Sequence, residues 1–193
     1  TGHRTLSRIK SMNIHQLSVL HDERQDRLLL RLNTQDSQEF RFWLTRRMTQ
    51  RFMPAIEQSA ARLEAAQPGV AATDSASQQL LSELKRDAFL QKADFSTPFE
   101  TQATQLPLGS EPMLITDAHL SILAKGGMEI SFEDKTDPQQ VRSCQLRLQL
   151  SLVHGMVHLI QQAADKAQWG LTAVVKPTEA APLLAPSTPR YSH

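Results

Sequence analysis

The 193-residue sequence has one cysteine, seven glycines and few aromatic residues, which make up 5% of the chain. The lone Cys144 excludes a disulfide framework and a structural zinc site built on several thiolates. The glycines form neither a phosphate-binding loop nor a dinucleotide-binding motif. No apolar run approaches the roughly 18–20 residues that a membrane-spanning helix requires. We therefore expect a soluble, cytoplasmic protein with no cofactor and no contact with membranes.

The formal net charge of +1 conceals an uneven distribution of charge along the chain. Residues 1–55 contain ten lysines and arginines but only five acidic residues, whereas residues 56–112 contain four and eight. Residues 113–193 are balanced, with seven of each. The basic amino-terminal part and the acidic middle either neutralise each other within the fold or leave a basic surface for an anionic partner.

In the first half of the chain, polar and apolar residues alternate with the period of two that is typical of strands. Short strands are predicted near Leu17, at 28–32 and at 40–44, joined by polar turns as in an antiparallel meander. From Thr45 the period becomes helical, and the Thr45 hydroxyl is suited to cap the helix. We expect Pro54 to kink or interrupt this helix, because proline removes one backbone hydrogen bond.

The second half repeats this order of elements. A strand is predicted at 120–122, Gly126–Gly127 fits a hairpin turn, and residues 128–132 alternate again. A further alternating run extends over 144–152. A helix follows and ends near Gly170, a residue type that favours helix termination.

The composition divides the chain into five segments. These are a leader or expression remnant at 1–12, a first strand-and-helix unit at 13–66, a linker at 67–112, a second unit at 113–170 and a proline-rich, disordered tail at 171–193. Within the linker we predict a flexible connection at 67–77, a short helix at 78–92 and an irregular loop at 94–112.

The helices of the two units are related by an offset of 104 residues, at which Ile56, Gln58 and Ala60 correspond to Ile160, Gln162 and Ala164. We predict an α+β fold of two similar antiparallel three-strand meander plus helix units. Internal duplication would explain the likeness, and two unrelated halves are the alternative. The repeated order of elements is similar to that of duplicated single-strand nucleic-acid binders of the Whirly type. This likeness concerns the fold alone and implies no role for any residue.

The clearest charge anomaly lies at the end of the third strand and the start of the first helix, and it comprises Arg41, Trp43, Arg46, Arg47 and Arg51. Arg41 and Trp43 share one face of the strand, and Arg47 and Arg51 lie one helical turn apart. Positive charge at a helix N-terminus opposes the helix dipole, which indicates a paired or functional role. Arginine and tryptophan together suit phosphate contact and base stacking. Alternatively, Trp43 packs beneath another element and the arginines pair with the acidic middle segment.

His154 and His158 are four residues apart on the second helix, a spacing suited to two metal ligands, although a metal site needs a further ligand. Gly155 stands where the zinc-peptidase motif has its glutamate, so that motif is absent. Hydrogen-bonded or solvent-facing histidines are the alternative. Cys144 begins an apolar strand face and is predicted to be a buried, unreactive thiol.

Three functions remain open, and no catalytic residue is assigned, because no nucleophile-elbow motif is present. The first is a non-catalytic interaction or adaptor protein, with a protein partner or with self-association through unpaired sheet edges. The second is binding of single-stranded nucleic acid, or of another anionic partner, through the Arg/Trp residues. The third is a metal-binding protein or hydrolase that uses His154 and His158.

Overall fold

The computed structural model describes residues 14–66 and 105–171, the backbone of 5–7, and short stretches at 76–77, 80, 83–84, 87–88 and 98–99. Its elements in chain order are β1 (Thr5–Ser7), β2 (Ile14–Asp22), β3 (Arg27–Thr34), β4 (Glu39–Thr45), α1 (Arg46–Ala65), β5 (Met113–Leu114), β6 (Asp117–Ile122), β7 (Met128–Asp134), β8 (Arg142–Leu148) and α2 (Leu150–Lys166).

Each half of the chain folds as an antiparallel meander followed by a helix, which confirms the predicted α+β class. β2, β3 and β4 pair in that order and lead into α1, and β6, β7 and β8 lead in the same way into α2. Leu28, Leu30 and Leu32 of β3 are fully buried, as the alternation predicts for one face of a strand. The likeness of the two units fits a duplication, which remains a hypothesis.

Each sheet has a fourth strand that the alternation did not predict. β5 runs parallel to β4, with Phe42 opposite Met113, and β1 runs parallel to β8, with Leu6 opposite Ser143. The strand orders are β2-β3-β4-β5 and β1-β8-β7-β6. Each sheet therefore takes its fourth strand from the segment just before the meander of the other half of the chain. β1 lies within the stretch predicted as a leader or remnant. Strands of three and two residues are too short to show a period of two.

The inner faces of the two sheets and the two helices enclose one hydrophobic core. Phe132 of β7 contacts Phe42 of the first sheet and Phe52 of α1, with ring centroids 5.1 and 5.7 Å apart. α1 packs against α2 and β6, whereas α2 packs against β2. Because the helix of each unit packs on an edge strand of the other unit, the two units share their core.

The two helices begin at equivalent positions. Thr45 precedes α1 with φ −73° and ψ 157°, and its Oγ1 accepts a hydrogen bond of 3.1 Å from the backbone N–H of Met48. The predicted N-cap is thus confirmed. Gln149 precedes α2 with φ −73° and ψ 156° but makes no side-chain cap bond. The spacing of Thr45 and Gln149 is the same 104 residues that relates the helix sequences.

α1 is continuous across Pro54, so the predicted interruption is wrong. Phe52, Met53 and Ile56, on either side of the proline, are buried in the core. Proline in a helix interior costs about 3 kcal/mol, whereas burial of each large apolar side chain contributes about 2 kcal/mol. Packing of this helix face therefore outweighs the missing hydrogen bond.

The last strand is shorter than its alternation predicted. β8 ends at Leu148 and α2 begins at Leu150, so Leu150 and Leu152 belong to the helix. A short run of leucines fits both the period of two of a strand and the period of about 3.6 residues of a helix. Val153 and Met156, which follow, are fully buried at helical spacing, and their packing decides in favour of the helix.

The linker and the tail lie mostly outside the described residues. Within the predicted helix at 78–92, residues 80, 83–84 and 87–88 are helical. The predicted flexible connection is described only at 76–77, and the predicted disordered tail only at Leu171. The predicted irregular loop is described at 98–99 and from 105, where Gln105 forms an isolated bridge with Gln38. In the described part of the chain, no helix is long and apolar enough to cross a membrane.

Candidate interaction surface

The outer side of the first sheet brings Trp43 and two arginines into register across the strands. In one row, Ser18 of β2 lies opposite Arg31 of β3, which lies opposite Arg41 of β4. The neighbouring row joins Leu20, Leu29, Trp43 and Leu114. The residues that alternate with these rows on β3 and β4 point inward and are buried. We call the surface formed by Leu20, Leu29, Arg31, Arg41 and Trp43 the Arg/Trp face.

Arg31 and Arg41 are like charges held directly opposite each other. The Nε atoms of both are buried and have no hydrogen-bond partner. Nη2 of Arg31 donates to Oγ of Ser18 over 3.2 Å, while Nε of Arg41 lies 3.9 Å from Oε1 of Glu39, too far for a hydrogen bond. Burial lowers the pKa of Arg31; the charge of Glu39 opposes this shift and that of Arg41 adds to it. The pair therefore carries unused donors and incompletely compensated charge.

Aromatic rings lie beside this arginine pair. The guanidinium carbon of Arg31 is 4.3 Å from the centre of the Phe99 ring, within the range of a cation–π contact. Nε2 of Gln16 donates to the carbonyl oxygen of Pro98 over 3.2 Å, so residues 98–99 lie on the same side of the sheet. Trp43 is half-buried. Part of its surface is therefore accessible beside the arginines.

The remaining residues of the predicted cluster are separated from this face. Nη2 of Arg46 donates to the carbonyl oxygen of Trp169 over 2.9 Å, which gives Arg46 a structural partner at the end of α2. Arg47 and Arg51 are exposed on α1, whose first turn contains no acidic residue. Neither forms an ion pair with a described residue. The structure thus brings Arg41 and Trp43 together and places the three helical arginines elsewhere.

The outer side of the second sheet has a different chemistry. On β6, β7 and β8 its residues are polar or charged, namely Asp117, His119, Ser121, Glu129, Ser131, Glu133, Ser143, Gln145 and Arg147. Nζ of Lys135 lies 2.7 Å from Oε2 of Glu133, and Nε of Arg147 lies 2.9 Å from Oε2 of Glu129. The hydrogen bond from Lys135 is the main cause that lowers the pKa of Glu133. The charged residues on this side pair with one another. The two units therefore have similar folds, but their outer faces differ in chemistry.

His154 of α2 bonds to Glu64 of α1 where the helices meet. Nε2 of His154 lies 2.7 Å from Oε1 of Glu64, and the two side chains are 12% and 6% exposed. His158 lies one turn further along α2 and is half-buried. Among the described residues, no three histidine, cysteine, aspartate or glutamate side chains are grouped as a metal site would require. The geometry indicates a structural role for His154.

Cys144 lies on the inner face of β8 and is fully buried, as predicted. Burial raises the pKa of its thiol to about 12. Because the thiolate is the reactive form of cysteine, this thiol is unreactive at neutral pH.

Two residues of the surface were missed from the sequence for different reasons. Arg31 alternates with the buried leucines of β3 and so points outward, but only the register of the β3–β4 hairpin, in which Asn33 pairs with Glu39, sets it opposite Arg41. The polar turn between those two residues was a usable signal for that register. No sequence pattern predicted the position of Phe99, because its contact with Arg31 depends on the path of the linker.

Comparisons of this chain with models of protein families, with curated proteins and with solved structures found no match. The function of the Arg/Trp face is therefore argued from its own residues.

Proposed function

We propose that the protein is a non-catalytic binding protein that holds single-stranded nucleic acid on the Arg/Trp face. The observation that carries this proposal is the pair of opposed arginines, Arg31 and Arg41, whose buried Nε atoms lack acceptors. A cytoplasmic location is part of the proposal, because the one cysteine is a free, buried thiol and forms no disulfide.

A phosphate group would compensate the charge of both arginines; because the Nε atoms are buried and the Arg41 side chain is 25% exposed, it would bind through the terminal Nη atoms. Guanidinium groups bind phosphate oxygens through two parallel hydrogen bonds, and these charge-assisted bonds are about twice as strong as neutral ones. An anion placed between Arg31 and Arg41 would also remove the repulsion that opposed like charges cause in a sheet. The backbone of a nucleic acid supplies such groups at regular intervals.

The rings beside the arginines suit unpaired bases. Trp43 lies in the row next to Arg41, and Phe99 lies against Arg31. Stacking of a base on an aromatic side chain contributes about 1–3 kcal/mol and requires no particular sequence. Bases are available for such stacking in a single strand, whereas a duplex buries them. Arg47 and Arg51, exposed on α1 away from this face, would attract an anionic ligand only at longer range.

Fluorescence polarisation with a labelled single-stranded oligonucleotide tests the proposal. We expect binding that weakens with salt, with a slope of log K against log salt of about −1.4 for two phosphate contacts. Arg31→Gln/Arg41→Gln should weaken binding about tenfold or more, because charge-assisted hydrogen bonds are lost. Arg147→Gln, on the outer side of the second sheet, is the matched control and should bind as the wild type does.

The quenching of tryptophan fluorescence adds a second readout. Trp169 is 1% exposed, so quenching by the oligonucleotide should come from Trp43 and should disappear in Trp43→Phe. Absence of binding at low salt, or an equal loss of affinity in Arg147→Gln, would contradict the proposal. Binding of an acidic peptide in preference to the oligonucleotide would also overturn it.

A second candidate function is that of a protein-interaction or adaptor module, which the leucines of the Arg/Trp face favour. Leu20 is 50% exposed and lies in one row with Leu29 and Trp43. Aliphatic side chains pack well on a protein partner but offer no stacking surface to bases. Binding of such a partner would depend little on salt. Leu29→Ser would abolish this binding, whereas Arg31→Gln/Arg41→Gln would change its affinity little.

A further inference from the structure

β2 is an edge strand with few of the features that usually protect an edge. β3 pairs with one edge of β2, and no described strand pairs with the other edge. Its nine residues include neither lysine nor proline, and Asp22 at its end is the one acidic residue. Short length, charged residues, proline and bulges are the usual means by which proteins avoid pairing at an edge. The register of β2 with β3 is irregular only between Ile14 and Gln16, so the rest of the strand is regular.

The other three sheet edges are shorter than β2. β5 and β1 contain two and three residues. β6 contains six residues; its charged residue Asp117 and exposed His119 have counterparts on β2 in Asp22 and the exposed His15, so length is the difference. With nine residues, β2 is the longest of the four edge strands and offers another strand the most backbone groups.

An apolar row leads to this open edge. Trp43 and Leu29 lie in register with Leu20 on β2, where the row ends with a side chain that is 50% exposed. An exposed leucine is common on protein surfaces, but here it ends an apolar row at an edge with which no described strand pairs. A strand added beside β2 would cover it.

We propose that a second copy of this chain pairs with β2 in antiparallel orientation, about a two-fold axis that brings the two Leu20 side chains together. The two apolar rows then form one continuous row across a sheet of eight strands. Val19 of each copy lies opposite His21 of the other, and Ser18 lies opposite Asp22. No like charges are brought opposite each other, which would be destabilising.

The other end of β2 is left outside the pair in this register. Gln16 is bonded there to the carbonyl oxygen of Pro98, so the linker lies beside that end of the strand. Pairing centred on Leu20 uses only residues 18–22 of each copy and avoids this contact. A two-fold pairing also closes on itself, whereas pairing of β2 with the β6 edge of another copy would extend without limit.

Sedimentation equilibrium of the full chain, from micromolar to submillimolar concentration, tests this inference. We expect a mass near twice that of one chain. Leu20→Lys should give the mass of one chain, because a charged side chain replaces the leucine at the centre of the contact. Ile122→Lys is the matched control, since Ile122 is 44% exposed on the β6 edge, and it should leave the dimer intact. Circular dichroism verifies that both variants are folded.

A cysteine at the two-fold axis tests the register. Leu20→Cys should form a covalent dimer under mild oxidation that reductant reverses, because Cβ atoms of directly opposed residues lie about 4.5–5.5 Å apart. The wild type should form none, since Cys144 is buried. A wild-type mass of one chain at all concentrations, a dimer that survives Leu20→Lys, or no cross-link in Leu20→Cys would each overturn the inference. Mass and cross-linking are measured without nucleic acid, so failure here is distinguishable from failure of nucleic-acid binding.

Discussion

Trp169 donates its Nε1 hydrogen to Oδ1 of Asp26 over 2.7 Å, which joins the residue beyond α2 to the turn between β2 and β3. The same carboxylate oxygen lies 3.2 Å from Nε2 of His21. The rings of His21 and Trp169 meet edge to face, with centroids 5.9 Å apart. Because Trp169 is 1% exposed, these contacts close the core and tie the end of the second unit to the first.

The Asp26–Trp169 bond predicts a loss of stability in acid. Hydrogen bonds from Trp169 and then His21 lower the pKa of Asp26 below its ordinary value. A carboxylate whose pKa is lower in the folded than in the unfolded state contributes stability that is present above about pH 4, and this contribution is lost as the pH falls through the folded-state pKa. Urea titrations should therefore show Asp26→Asn less stable than the wild type at neutral pH and equally stable in strong acid.

Asparagine is the appropriate replacement at this site, because it retains a hydrogen-bond acceptor and tolerates the positive φ of 48° that Asp26 adopts. Asp36→Asn, in the exposed turn between β3 and β4, is the matched control and should be as stable as the wild type at neutral pH. A difference between the wild type and Asp26→Asn that stays constant at all pH values would contradict the prediction.

Gly127 is predicted to be the glycine of the β6–β7 turn that tolerates substitution least. It has φ +92°, and a Cβ atom there would lie 2.9 Å from the carbonyl oxygen of Leu148. Gly126 has φ +84°, with nothing within 4 Å of its Cβ position. Positive φ costs an alanine about 1 kcal/mol, and the backbone clash adds to this cost only at Gly127.

We therefore expect Gly126→Ala to lower the free energy of unfolding by about 1 kcal/mol and Gly127→Ala to lower it by about 2–3 kcal/mol. Chemical denaturation measures both values. Equal losses of unfolding free energy in the two variants would show that the close contact of a Cβ atom at position 127 with Leu148 does not affect stability.

The sequence predicted features that depend on neighbouring residues and missed those that depend on residues far apart in the chain. Alternation and capping are local, so the strands at 28–32 and 40–44 and the cap at Thr45 were predicted correctly. The strand β5, the partner of Arg31 and the position of Trp169 depend on contacts between residues far apart in the chain. Periodicity carries no information about such contacts. The surface was therefore only partly predicted, with Arg41 and Trp43 found and Arg31 missed.

The equivalent caps of the two helices predict opposite effects of substitution. Thr45→Ala should lower the free energy of unfolding by about 1 kcal/mol, because the bond to the N–H of Met48 is lost. Gln149→Asp should raise it by about 1 kcal/mol, because the backbone already has cap geometry and the first turn of α2 contains no acidic residue. Gln149→Ala is the control and should change little. A destabilising effect of Gln149→Asp would show that the two positions are not equivalent.

The buried contact between Glu64 and His154 predicts strong non-additivity. His154→Leu leaves the Glu64 carboxylate, 6% exposed, without this partner, and we expect it to lower the free energy of unfolding by about 3 kcal/mol. Glu64→Leu/His154→Leu replaces both groups by apolar ones and should cost less than His154→Leu alone. Equal or greater loss in the double variant would contradict this account of the pair.

The same contact predicts the response to metal. Nε2 of His154 is engaged by Glu64 at 2.7 Å, and a zinc ion would have to displace that bond to use the nitrogen. Addition of zinc to the wild type should therefore leave its melting temperature unchanged in differential scanning calorimetry. A zinc-dependent rise in melting temperature that disappears in both His154→Leu and His158→Ala would instead establish the metal site that the spacing of these histidines suggests.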